Sequence, residues 1–442
     1  MPPIIALVAA STLFTAAAAP TAASQIHPET PTLYAPGDPV IEGEPAAIAI
    51  VGLEPGQRVR FVAERANLWG QGRLWRSEAV FIADPVYGVA DPVRHAPVEG
   101  DWSRADRFAF LWSMQRTNMD APAETTRSRV RLRADIDMDG TFELEAYLDF
   151  KTDGYREIDA SALSPGAFLY RPVGEGPFPA IIFLGGSEGG DRAARDQAPG
   201  LAQRGYAVLG LPYYSPDWYG QGRAIPELPE AFVDIPVTLA AEARDWLAER
   251  PDIDAGAIGL FGISKGAEFA LAAASYLGGF NAVAAIVPSD MIWEGWGAGA
   301  EGERSSFSLN GEPLAFVPYK DMRATLNARA EGAQVSIRTP HDEGRAANPD
   351  RVEAARIPVE RIEAPVFLLG GMADDVWASG LMAVNIAERR AATQLPTELY
   401  VYADAGHGLS GPPTRPSRAA EANAKSEAYP AFLAFLDRAL GR

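Results

Sequence analysis

The chain has 442 residues, 47% of them hydrophobic and 22% charged, a globular composition long enough for two or three domains. With 39 basic and 58 acidic side chains it carries a net charge of −19, which argues against a nucleic-acid partner because phosphates would be repelled. It has no cysteine, which excludes disulfides, thiolate metal sites and a cysteine nucleophile.

The N-terminus, MPPIIALVAASTLFTAAAAPTAAS, has an apolar run from Ile4 to Phe14 followed by small residues. This reads as a signal peptide over 1–23, cleaved after Ala23, although no Lys or Arg precedes the run. The expectation is an exported, periplasmic or secreted protein, or a cytoplasmic one if the signal does not function. The run is too short to span a bilayer, and no later segment qualifies, so no integral membrane segment is expected in the mature chain.

Residues 30–155 read as strands. RVRFVAE (58–64) alternates charged and apolar residues, as a half-buried strand does. RVRLRADIDMDGTFELEAYLDF (129–150) puts Val130, Leu132, Ala134, Ile136 and Met138 on one face, and Phe142, Leu144 and Ala146 resume the alternation. Asp139-Gly140 between the runs predicts a tight type I′ hairpin. The whole suggests a small antiparallel, immunoglobulin-like β-sandwich. Asp135, Asp137 and Asp139 imitate the start of an EF-hand, but the twelfth position is Ala146 where a bidentate Glu belongs. A solvated acidic face is expected there, and no metal.

Over 160–442 the pattern changes to strands alternating with helices. Strands are predicted at 166–170, 179–184, 206–211, 257–262, 282–287, 365–370 and 397–402. Helices are predicted at 236–250 and 265–277. Apolar strands alternating with helices imply a mostly parallel sheet covered on both faces. Residues 291–356, rich in Gly, Arg, Glu and Ser, break the rhythm and read as an irregular insertion or lid.

Two stretches fit the nucleophile pattern G-x-S-x-G: Gly185 to Gly189, around Ser187, and Gly262 to Gly266, around Ser264. The second has the required context, an apolar strand running into the turn and a helix leaving it, and the first follows a strand two strand–helix steps earlier. Ser264 is therefore the predicted nucleophile. A serine needs a base, and four histidines are available. His27 lies in the N-terminal tail, His95 in the β-rich part and His341 in the insertion. His407 follows the last predicted strand on a glycine-flanked loop, where a base belongs. The third member should follow the preceding strand, and APVFLLGGMADDVW offers Asp374 and Asp375. Asp374 is preferred on its spacing from Gly371. The order Ser…Asp…His is that of the α/β-hydrolases. In that fold the loop after an earlier strand donates to the oxyanion hole, which assigns that role to GGSEGG. The backbone N–H groups of Gly186, Ser187 and Lys265 are the expected donors.

These segments resemble the acyl-CoA thioesterase and bile acid-CoA:amino acid N-acyltransferase family. VGLEPGQRVRF (51–61), LWRSEAVFIAD (74–84) and FLWSM (110–114) are similar to its β-sandwich. LAQRGYAVLGLPYY (201–214), GLFGISKGAEFAL (259–271), ARIPVERIEAPVFLLGG (355–371) and YADAGHG (402–408) are similar to its α/β-hydrolase domain. The resemblance implies a triad of Ser264, His407 and Asp374 and no cofactor. Family members with Ser hydrolyse acyl-CoA, whereas those with Cys conjugate amino acids, so Ser264 implies thioester hydrolysis. Export would place the enzyme away from acyl-CoA, so an exported carboxylesterase acting on a non-CoA ester is the alternative. The partner in either case is a small acyl substrate. The sandwich could also serve as a binding module for a protein or glycan.

Overall fold

A computed structural model describes residues 30–66, 72–217, 220, 222–297, 303–411 and 417–442. The expected leader at 1–23 and His27 lie outside the described residues.

The first part of the chain is all β but for one helical turn. Strand β1 (Thr32–Tyr34) pairs antiparallel with β2 (Ala49–Val51). Then come β3 (Arg58–Ala66), β4 (Arg73–Ile82), β5 (Glu99–Gly100), the turn α1 (Ala109–Trp112), β6 (Gln115–Asp120), β7 (Arg129–Asp135) and β8 (Glu143–Asp149). They form an antiparallel sheet ordered β5-β4-β3-β7-β8, with β6 also on β4. Alternate residues Val59, Phe61 and Ala63 meet Val130, Leu132 and Ala134 on the inner face. Leu33, Ile48 and Ile50 close the core from the small sheet, and Trp102 and Phe110 complete it. The sandwich is thus unequal, a broad sheet faced by a two-stranded ribbon and loops. On the outer face Glu64 lies between Arg131 (2.6 Å) and Arg133 (3.2 Å), an arrangement that relieves the repulsion of the two guanidiniums.

The tight hairpin at Asp139-Gly140 does not form. Asp135 pairs with Glu143, which leaves 136–142 as an open loop with Met138 and Gly140 both at positive φ. The three aspartates explain the difference. Asp135 accepts from Gly140 N–H (3.1 Å), Asp137 from the Thr141 hydroxyl (2.6 Å) and Asp139 from Thr141 N–H (3.0 Å). Carboxylates that capture nearby donors stabilise a wider loop than the two-residue turn.

The second part contains β9 (Tyr155–Asp159), β10 (Phe168–Pro172), β11 (Phe178–Leu184), α2 (Arg192–Ala202), β12 (Ala207–Gly210), β13 (Ile235–Pro236) and α3 (Thr238–Ala248). Next are β14 (Ile253–Ile263), α4 (Lys265–Leu277), β15 (Ala282–Ile286), β16 (Phe307–Leu309), β17 (Glu312–Pro313), α5 (Met322–Ala330), α6 (Arg338–Ala347) and α7 (Pro349–Ala355). Last are β18 (Val366–Gly371), α8 (Ser379–Ala391), β19 (Thr397–Tyr402) and α9 (Arg418–Ala439). The main sheet is ordered β9-β10-β12-β11-β14-β15-β18-β19. Its β9–β10 and β10–β12 pairs are antiparallel and the rest parallel. Helices bury its two faces separately, as in an α/β-hydrolase. Strand β9 is a short, mostly exposed edge, too polar to stand out in the sequence.

The described residues of the stretch 291–356 are more ordered than its composition suggests. It holds α5–α7 and a small sheet in which β16 pairs with β13 and β17. Met291, Trp293, Val317 and Ala355 pack with Trp377 and Met382, which anchors it beside the C-terminal end of β18.

Candidate active site

Ser264 joins β14 to α4 with φ 52° and ψ −121°, a strained conformation for a residue with a side chain. The flanking glycines are required by space. A Cβ on Gly262 would lie 2.1 Å from Gly266 O, and one on Gly266 would lie 2.1 Å from Leu184 O. Ser264 N–H is tied to Ile286 O on the neighbouring strand (2.9 Å). The turn is thereby locked with the hydroxyl at the C-terminal edge of the sheet.

His407 reaches the same point from the loop after β19. Its Nε2 lies 2.9 Å from Ser264 Oγ. Its Nδ1 lies 2.9 Å from Asp374 Oδ2 and 3.1 Å from Oδ1. Between the two motifs the imidazole therefore selects Ser264. Of the paired aspartates, Asp374 meets the ring. Asp375 uses its backbone carbonyl to accept from Arg338 N–H and the Ser336 hydroxyl (both 2.9 Å).

The GGSEGG loop sits beside Ser264, pinned by the segment that follows β12. Gly190 N–H donates to Tyr214 O (2.8 Å) and Tyr214 hydroxyl to Ser187 O (3.2 Å). Tyr213 hydroxyl donates to Gly185 O. Gly186 N–H, an expected oxyanion donor, is taken: it donates to Glu188 Oε1 at 2.8 Å. The cause is Glu188, two residues on, whose side chain turns back over the loop. Lys265 N–H is the first amide of α4, a position with no partner inside the helix.

Models of the family match both parts of the chain. The one described as BAAT / acyl-CoA thioester hydrolase C terminal covers residues 235–432, and the acyl-CoA thioester hydrolase/BAAT N-terminal region covers 43–161. The chain belongs to the acyl-CoA thioester hydrolase/BAAT family. It is similar to acyl-coenzyme A thioesterase 1 of Rattus norvegicus, 28% identical over 84% of this chain and 83% of that protein. It is also similar to the mitochondrial acyl-coenzyme A thioesterase 2 of Homo sapiens, 28% identical over 84% of this chain and 72% of that protein. Among solved structures, a thermophilic esterase from Thermogutta terrifontis matches 64% of this chain and 95% of its own at 15% identity, with a TM-score of 0.39. As a member of this family with an α/β-hydrolase fold, the chain is a thioesterase-like hydrolase.

In this family member the surroundings of His407 and Asp374 tune their charge. Burial alone would lower His407, but the charge of Asp374 and its hydrogen bond outweigh that and hold the imidazole above 6.5. Burial alone would raise Asp374. His407 outweighs it, with hydrogen bonds from Ser379 Oγ (2.5 Å) and Val376 N–H (2.9 Å), so the carboxyl falls below 3.8. Trp377 N–H adds a third bond to Oδ1 (3.2 Å).

Three supports went unread in the sequence, and only the third had a local signal there. Ser379 steadies Asp374 from the start of α8. Glu421, fully buried in α9, accepts from Gly406 N–H and Gly408 N–H (both 3.1 Å) and so holds both sides of His407. Lys265 Nζ is buried against Glu268 Oε2 (2.7 Å) and Ser306 Oγ (2.9 Å), inside a ring of Phe232, Trp296 and Phe307. The Lys-x-x-Glu spacing on one helix face was the available hint.

The other described histidines serve structure. His341 is packed against Trp293, Tyr319 and Trp377, where burial lowers its pKa to about 3. His95 accepts from Asp91 N–H (3.2 Å) in the β part. Among the described residues no cluster of metal-ligating side chains occurs, and no helix is long and apolar enough to cross a membrane. A mostly apolar cavity of about 150 Å³ lies between the two parts of the chain. Its walls include Trp75 and Trp112 from the β part, Ile263 next to Ser264, Ile286, Leu409 near His407, and Phe432.

Proposed function

We propose that this protein hydrolyses an acyl thioester, acyl-CoA to free acid and CoA, through an acyl-enzyme on Ser264. The observation that carries the reading is the unbroken hydrogen-bond chain from Ser264 through His407 to a buried carboxylate, in a chain of this family. His407 takes the hydroxyl proton as Ser264 attacks the carbonyl carbon. Asp374 holds the ring in the tautomer that leaves Nε2 free to accept. Negative charge on the carbonyl oxygen is met by Lys265 N–H and the positive end of α4. His407 then protonates the departing thiolate, and water repeats the sequence to release the acid. The acyl chain enters the apolar cavity beside Ile263.

The apolar run Ile4 to Phe14 supports a second reading, export with a leader ending at Ala23, under which a non-CoA ester is the substrate. One paired assay decides between them: kcat/KM for matched acyl-CoA and simple acyl esters on the purified chain. A CoA preference supports the thioesterase, and equal or better ester turnover supports the carboxylesterase. Sequencing the mature N-terminus tests export separately. Ser264→Ala should lose on the order of 10⁶-fold in kcat, the scale seen when a triad nucleophile is removed, while Ser187→Ala stays near the parent. The reverse result would refute the assignment.

A further inference from the structure

The Glu188 side chain stands where the reaction needs a hydrogen-bond donor, and its surroundings point to a role. Its Oε1 holds Gly186 N–H at 2.8 Å. A methyl group built on Gly186 would sit 2.8 Å from Glu188 Oε2 and 3.1 Å from Ser264 Cβ. One on Gly185 would sit 2.9 Å from Oε1. The carboxylate thus covers both glycines, and its second oxygen and Ser264 both border the space a methyl group on Gly186 would fill. Among the described residues no Lys or Arg pairs with it, and the charged group that bears on it is His407.

A tetrahedral intermediate would place a negative oxygen in this same region. Two anions a few ångströms apart cannot share one donor without strong repulsion. The residue as a whole is exposed, although its carboxylate folds inward. The loop backbone beneath it is pinned by Tyr213 and Tyr214. Opening therefore needs only a side-chain rotation outward, which is fast, and its effect is on equilibrium rather than on a slow gate.

We propose that the Glu188 carboxylate is a built-in occupant of the oxyanion site, which substrate must displace before Gly186 N–H can stabilise the intermediate. The inference rests on Ser264 being the nucleophile. Glu188 is then a restraint on turnover and a filter. Acyl groups whose bound carbonyl fills the pocket displace it, and poorly seated ones leave it closed.

The test uses the full chain with Glu188→Ala and Glu188→Gln. The probe is an alkyl fluorophosphonate: Ser264 Oγ attacks phosphorus, fluoride leaves, and the hydroxyl proton passes to His407. The inactivation rate should rise by about 10- to 150-fold in Glu188→Ala, the range set by one hydrogen bond to a charged group. Glu188→Gln should fall between, because its amide oxygen can still accept from Gly186 N–H but carries no charge. Phenylboronic acid, which binds serine as a tetrahedral anion, should tighten in the same order by calorimetry. Thermal unfolding of both variants should stay near the parent, and Gln keeps the loop bond if Ala disturbs it. Unchanged or slower inactivation in both variants, with Ser264→Ala inert, overturns the role of Glu188 and leaves the nucleophile standing. A Ser264→Ala chain that still reacts overturns the nucleophile itself.

Discussion

Replacing Asp374 by Asn tests the positioning of the base. The site fixes how the amide would sit. Val376 N–H and Trp377 N–H both donate to Oδ1, so the amide oxygen must take that place. The amide nitrogen then replaces Oδ2, 2.9 Å from His407 Nδ1 and within reach of the Ser379 hydroxyl, which can turn to accept. An N–H aimed at Nδ1 forces the imidazole to carry its proton on Nε2. That nitrogen lies 2.9 Å from Ser264 Oγ and could no longer accept its proton. Fold and packing are unchanged, but the base is in the wrong tautomer. The same change in a serine protease triad costs about 10⁴-fold in kcat, roughly 5.4 kcal/mol of barrier. Asp374→Asn should show a loss of that size in steady-state turnover of an acyl thioester, with KM little changed. Asp375→Asn should remain within a few-fold. Asp374→Asn retaining more than a tenth of parental kcat, or equal losses at both positions, would refute the reasoning.

Other outcomes follow from the same geometry. The base must be neutral, and Asp374 holds His407 above 6.5, so kcat/KM should fall as pH drops through a midpoint above 6.5. The ion pair's contribution to stability runs oppositely on this side. It is complete below 6.5 and is lost as pH rises through the raised pKa, which denaturant titrations at several pH values can follow. Lys265→Met leaves Glu268 buried without its cation and should destabilise by about 3–5 kcal/mol in denaturant unfolding. Lys265→Met with Glu268→Gln should recover most of that, because the amide can still accept from Trp293 N–H. If the cavity holds the acyl chain, kcat/KM should rise about fourfold per methylene, from roughly 0.8 kcal/mol each, until the space is full. Ala428→Leu, on the cavity wall, should move that plateau to shorter chains, and an unmoved profile would place the acyl chain elsewhere.

What could be read from the sequence was local or ordinal. The Ser264 turn is a contiguous pattern in which strand, glycines and helix follow one another, so one window contains its physics. Asp374 and His407 were reached by chain order, because each follows a strand of a sheet whose sequence of strands is nearly fixed. The failures have other physical causes. The three aspartates of 135–139 compete with the hairpin turn for backbone donors, and propensity alone does not weigh side chain against backbone. Strand β9 carries too little apolar surface to register as a strand. Glu188 lies on a loop whose Gly189 and Gly190 both take positive φ, and that path turns its side chain back over Gly186. Glu421 acts from α9 on a loop 13 to 15 residues earlier, a contact that exists only after the helix docks.

That docking gives the β part a structural role. Helix α9 is held from the β side over its first half, from Arg418 to Tyr429. Arg418 pairs with Asp101 and donates to Ser113 O (2.6 Å) and Arg76 O (3.1 Å). Asn423 donates to Ser103 Oγ (3.1 Å), Ser426 to Asp106 (2.6 Å), and the Trp112 and Tyr429 rings meet at 5.6 Å. Three residues after Arg418, Glu421 grips the two glycines that flank His407. His407, the proposed base, is therefore braced through one helix by a domain that supplies none of Ser264, His407 and Asp374. The same domain lends Trp75 and Trp112 to the cavity beside Ile263, so its position bears on both the loop that carries His407 and the shape of that cavity. A rigid link of this kind favours keeping the two parts on one chain, because a separated hydrolase part would lose the brace and one wall of its cavity together.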